Sequence, residues 1–165
     1  MTAAGAWTID RALPDEAATR AAGRALGAAL TGGDAVALVG DLGAGKTTLV
    51  QAVAEGAGVA PDVPVTSPTF TLVQTYPAPR LTLVHVDLYR IVRARELPEL
   101  GLDELIGRRD TAALVEWADR FDVLPRDHLW VELTHAPGGG RRLAARGTGA
   151  RGAALAARWA ARLVP

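Results

Sequence analysis

The chain has 165 residues, 49% of them apolar, and its 18 basic and 18 acidic side chains cancel to a net charge of zero. That is enough chain for one domain with a real core and short for two, and the balance of charge excludes a disordered acidic or basic protein. The absence of cysteine excludes disulfide scaffolds, zinc–thiolate sites, iron–sulfur ligation and thiol catalysis.

No apolar run is long enough to cross a membrane, and the opening MTAAGAWTID has no basic stretch followed by an apolar one. A cytoplasmic protein without membrane contact is the expectation. Two asymmetries stand out. Only one of the 18 basic residues is a lysine, Lys46. After Glu132 there is no acid, but Arg141, Arg142, Arg146, Arg151, Arg158 and Arg162 follow. Such a basic segment reads either as a solvated last strand and helix or as a contact for nucleic acid or an acidic partner.

In chain order, residues 7–10 read as a short strand. Pro14, Asp15 and Glu16 then open a helix, with acids suited to its first turn, and the helix runs over 17–30. The TGGD turn at 31–34 leads to AVALV at 35–39, a continuous apolar run that predicts a strand buried on both faces. A glycine-rich loop follows, then a helix over 46–57. Residues 59–68, with three prolines, read as loop. Segments 70–76 and 81–89 read as a hairpin joined by the PAPR connection at 77–80. Charged helical pieces are predicted over 91–109, strands over 112–115 and 129–133, a glycine turn at 138–140, an edge strand over 141–146 and an amphipathic helix over 153–164. Strands alternating with helices predict an α/β domain covering 1–165, with an Ala/Arg-rich segment from about 149.

The strongest signal is GDLGAGKT, from Gly40 to Thr47, which fits GxxxxGK[ST] between a buried strand and a helix. Glycines let such a loop take backbone angles that side chains forbid, so its N–H groups turn inward around phosphate oxygens. The following helix aims the positive end of its dipole at the same place. The candidate phosphate-binding residues are therefore Asp41, Leu42, Gly43, Ala44, Gly45, Lys46, Thr47 and Thr48. Lys46 reaches toward β- and γ-phosphates, and the Thr47 hydroxyl suits Mg²⁺.

Such a loop needs an acid at the end of an apolar strand. LVHVD ends in Asp87 and ALVE in Glu116. Spacing alone does not assign which holds metal and which positions water. The chain contains no asparagine, and its one lysine is committed to phosphate. An Asn-Lys-x-Asp guanine reader is thus excluded, which favours ATP. Trp117 is placed either to stack on a base or partner or to fill the core. His85, inside an apolar strand, reads as a hydrogen-bonded structural residue rather than a proton carrier. Thr66, Ser67, Pro68, Thr69 and Phe70 form a polar loop at the position where P-loop proteins often sense the γ-phosphate.

With these residues in view, the sequence resembles the TsaE family, the bacterial ATPases of tRNA threonylcarbamoyladenosine biosynthesis. The resemblance is carried by GDLGAGKTTLV, TSPTFTLVQTY, HVDLYR, ELGLDEL and VEWADR, in order, across about residues 10 to 135. It departs at Leu49 and Val50, where the family often has an aromatic and a basic residue. The resemblance implies a three-layer, P-loop NTPase-like fold, with a mostly parallel sheet and added antiparallel strands. It implies ATP phosphates on Lys46 and the loop amides, Mg²⁺ on Thr47 and Glu116, hydrolysis supported by Asp87, and a switch-like loop at 66–70. It also implies weak ATPase activity working with the TsaB–TsaD pair. Two rival readings follow from the residues: a small-molecule kinase with a lid built from Arg90, Arg93, Arg95, Arg108 and Arg109, and a nucleotide-gated binding module.

Overall fold

The structure is a computed structural model that describes residues 8–163. One seven-stranded sheet runs through it. Its strands are β1 (Ile9–Leu13), β2 (Ala35–Val39), β3 (Val73–Pro77), β4 (Thr82–Asp87), β5 (Thr111–Glu116), β6 (His128–His135) and β7 (Arg141–Thr148). They lie in the order β1-β7-β6-β2-β5-β4-β3. The central four, β6, β2, β5 and β4, are parallel. The antiparallel additions are β7 against β6, β1 against β7, and β3 against β4. This is the mixed α/β, P-loop NTPase-like architecture expected.

The helices α1 (Glu16–Ala29), α2 (Lys46–Ala57) and α3 (Gly149–Arg162) share one face. Leu26, Leu49, Val53, Leu155 and Trp159 pack there against Leu38, Leu83, Leu114, Val131 and Leu143 of the sheet. The other face, with Ala37, Val84, Val86, Ala113 and Val115, is covered by the segment after β4, through Leu88, Ile91 and Leu102. Parallel strands covered on both sides must be apolar on both sides, which is why β2 and β5 read as unbroken apolar runs.

Several boundaries differ from the sequence expectation. The first strand spans Ile9–Leu13, and Trp7 lies outside the described residues. β3 begins at Val73 rather than at 70. The chain turns through 69–72, where Leu72 has φ 68° and its N–H bonds the Pro68 carbonyl. β3 is the sheet edge, where Pro77 removes no needed ladder donor. The charged segment after β4 forms two short 3₁₀ helices, Ala94–Leu100, which contains Pro98, and Leu102–Glu104, separated by Gly101 at φ 65°. The strand predicted as an edge over 141–146 is interior, because β1 pairs along its outer side. The last helix begins at Gly149, four residues before the predicted start.

Candidate phosphate-binding site

Ligands of parallel sheets gather beyond the carboxyl ends of the strands. Here β2, β4 and β5 end there in the glycine-rich loop, Asp87 and Glu116. Because β7 is antiparallel, it starts at that same end, and so does the exit of β1, with Leu13 opposite Arg141. The result is a cleft of about 620 Å³, within the range of small-molecule sites.

The loop is built for an anion. Gly43 and Gly45 have φ of 77° and 103°, the left-handed region that L side chains rarely adopt. Gly45 caps α2 without any side-chain hydrogen bond, so the first-turn N–H groups remain available to a ligand. Asp41, Leu42, Gly43, Gly45, Lys46, Thr47 and Thr48 line the cleft. Ala44 does not: its side chain is buried in the core beneath the loop.

Lys46 is buried, and its ammonium donates to the carbonyls of Gly40 and Asp41. It lies 3.9 Å from the Trp117 ring centroid. Burial holds this amine below the usual lysine range, while Glu116, Asp87, Asp41 and Asp119 act in the opposite direction. Trp117 itself lines the cleft, against Tyr89 at 5.0 Å between ring centroids, and has φ 59°. That left-handed backbone is costly for a bulky residue, and it sits directly after Glu116.

The two acids are register partners on adjacent strands. Side chains alternate along a strand, so Leu83, His85 and Asp87 face the helical layer while Val84 and Val86 face away. Asp87 Oδ2 accepts from Ser67 Oγ at 2.9 Å and Thr69 Oγ1 at 3.0 Å; its Oδ1 accepts from the Tyr89 N–H at 2.9 Å. Glu116 Oε2 lies 2.6 Å from Nε2 of the fully buried His85. The donors facing the cleft, the Thr47 hydroxyl with the Asp87 and Glu116 carboxylates, are hard oxygens that fit Mg²⁺.

Of the polar loop at 66–70, only Ser67 and Thr69 reach the cleft. Thr66 points to solvent, Pro68 is buried, and Phe70 is 85% exposed beneath the Arg90 guanidinium. None of the five arginines considered for a lid lines the cleft. The structure adds residues that local sequence patterns do not reveal: Leu13, Pro14, Asp15, Glu16 and Thr19 from the end of β1 through the start of α1, and Arg141 from the start of β7.

A P-loop on a parallel sheet, with two strand-end acids facing it, defines the class: a P-loop NTPase-like protein. The family profile of the threonylcarbamoyl adenosine biosynthesis protein TsaE matches residues 13–143. The chain is 39% identical over 133 residues to the tRNA threonylcarbamoyladenosine biosynthesis protein TsaE of Nostoc sp., covering 79% of this chain and 80% of that one. With the protein of the same description from Streptomyces coelicolor it is 40% identical over 123 residues, 72% and 80% of the two chains. The crystal structure of Bacillus subtilis YdiB superposes with a TM-score of 0.78 at 30% identity, covering 93% of this chain and 94% of that one. The chain belongs to the TsaE family of tRNA threonylcarbamoyladenosine biosynthesis.

Proposed function

We propose that the chain binds and slowly hydrolyses Mg·ATP as the accessory ATPase of this tRNA modification, acting with the TsaB–TsaD complex. The observation that carries the reading is the convergence of Lys46, Thr47, Asp87 and Glu116 on one cleft, with Ser67 and Thr69 tied to Asp87. The loop amides and Lys46 bind the β- and γ-phosphates, the ammonium exchanging its loop carbonyls for phosphate oxygens. Thr47 and Glu116 hold Mg²⁺, which when bound neutralises phosphate charge. Asp87 orients the attacking water, and its hydroxyl partners link that acid to the switch-like loop. The tRNA is reached through the partner complex, a reading supported by Arg141, Arg142, Arg151 and Arg158 each holding a partner within the chain.

The test is ATP hydrolysis by the purified chain, alone and with TsaB–TsaD, beside nucleotide affinity by calorimetry. Basal turnover should be slow and partner-stimulated. Lys46→Ala should abolish binding, whereas Glu116→Ala should cut hydrolysis far more than affinity. Equal loss of binding in both variants would contradict the metal assignment. Turnover that needs a phosphate acceptor instead of the partners would favour the kinase. Partner affinity that follows ATP without turnover would favour the gated module.

A further inference from the structure

A loop that turns its N–H groups toward phosphate turns its carbonyls the other way. Those carbonyls then need donors, because an unpaired peptide group is free to flip and present an oxygen to the anion. In this protein the donors come from far along the chain. Arg141 Nε donates to the Ala44 carbonyl at 3.1 Å, and its Nη2 donates to the Gly43 carbonyl at 3.0 Å. The remaining nitrogen, Nη1, donates to the Gly140 carbonyl at 2.9 Å, which anchors the fork to its own turn. One planar guanidinium therefore spans two successive peptides of the glycine-rich loop, a geometry that a lysine point charge does not reproduce.

The placement is a property of the sheet. β6 and β7 are joined by the turn through 136–140, and Arg141 faces His135 across the ladder. Gly140 is packed so closely that a Cβ there would meet the Leu13 carbonyl at 2.7 Å. The turn is thus held against the end of β1, and Arg141 emerges on the wall of the cleft. Gly43 and Gly45 have no side chain to anchor them, and between them Ala44 is held by its buried methyl and by its N–H, which donates to the Asp41 carbonyl at 3.1 Å; Arg141 holds the carbonyl side of the same peptides.

We propose that Arg141 is a positioning residue of the phosphate site: it braces the peptides of Gly43 and Ala44 by their carbonyls in the orientation that suits anion binding. This rests on the reading of the loop as a phosphate binder, and it makes the β6–β7 turn part of the site.

The test uses the full chain and three proteins: wild type, Arg141→Ala and Arg141→Lys. The side chain is partly exposed and its backbone ladder is unaffected, so all three should fold, as thermal melts would check. In the nucleotide-free state, amide hydrogen exchange by NMR at Ala44, whose N–H donates to the Asp41 carbonyl at 3.1 Å across the peptide that Arg141 holds, should speed at least tenfold in Arg141→Ala. ADP affinity should fall about tenfold in Arg141→Ala and nearly as far in Arg141→Lys. Unchanged exchange in Arg141→Ala would overturn the brace. Full ADP affinity in Arg141→Lys would overturn it too, since charge alone would then suffice. If the wild type bound no ADP, the phosphate-binding reading would fall by itself, and the exchange rates would still decide for or against the brace.

Discussion

His85 lies wholly buried on β4, with Nε2 against Glu116 and Nδ1 without a hydrogen-bond partner among the described residues. A glutamate carboxylate accepts hydrogen bonds, so the imidazole tautomer that carries its proton on Nε2 makes this contact a hydrogen bond. The histidine thus fixes one oxygen of the glutamate from beneath the cleft floor. His85→Gln keeps an N–H donor, whereas His85→Phe leaves the Glu116 oxygen unpaired, at a cost of about 1–3 kcal/mol. Urea unfolding should rank the stabilities wild type, then Gln, then Phe, with ATP hydrolysis falling in the same order. A Phe variant as stable and active as the Gln variant would show that the contact positions nothing. The sequence reading of His85 as a hydrogen-bonded structural residue agrees with this geometry, but its partner, 31 residues away, was not legible.

The helices α1 and α2 touch backbone to backbone. A Cβ at Gly23 would lie 2.6 Å from the Ala52 Cβ, one at Gly27 2.1 Å from the Val53 carbonyl, and one at Gly56 2.1 Å from the Arg24 carbonyl. Two effects oppose each other at Gly27. Alanine gains about 1 kcal/mol of helix propensity over glycine. Overpacking costs about 1–3 kcal/mol or more, and here the obstacle is rigid backbone, not a flexible side chain. Gly27→Ala should therefore destabilise, by about 2 kcal/mol in urea unfolding. An unchanged or raised midpoint would mean the helices separate at little cost. Since α2 carries Lys46 at its first turn, this contact also sets where the loop sits relative to the sheet.

At the scale of the molecule, three arginines of the basic end are tied to acids of the fold. Arg158 and Arg151 reach the fully buried Asp34 at 2.9 and 3.2 Å. Arg142 forms a two-point contact with Asp10, whose carboxyl it holds below the usual range. α3 places Trp159 wholly inside the core, where its indole N–H donates to the Ala22 carbonyl at 3.0 Å. Replacing a buried tryptophan by alanine costs about 3–5 kcal/mol, a large share of the 5–15 kcal/mol that typically holds a domain together. Trp159→Ala should lower the denaturation midpoint sharply, and truncation before Gly149 should lose cooperative unfolding. A truncated chain that still melts cooperatively would return this segment to the status of a dispensable appendage. Among the described residues no helix is long and apolar enough to cross a membrane.

What the sequence determined by itself is contiguous. The strand, glycine-rich loop and helix from Ala35 to Ala57 form one local unit, and the apolar runs ending in Asp87 and Glu116 announce strands with acids at their tips. These features depend on neighbours a few residues apart, where composition and periodicity carry the signal. The tertiary structure decided the rest: β7 is interior, all three helices share one face, Arg142, Arg151 and Arg158 pair with acids of the fold, and Arg141 meets a loop 97 residues earlier. The reason is physical. Strand order and antiparallel pairing bring distant residues to the same end of the sheet, and no local pattern along the chain records which strand lies beside which.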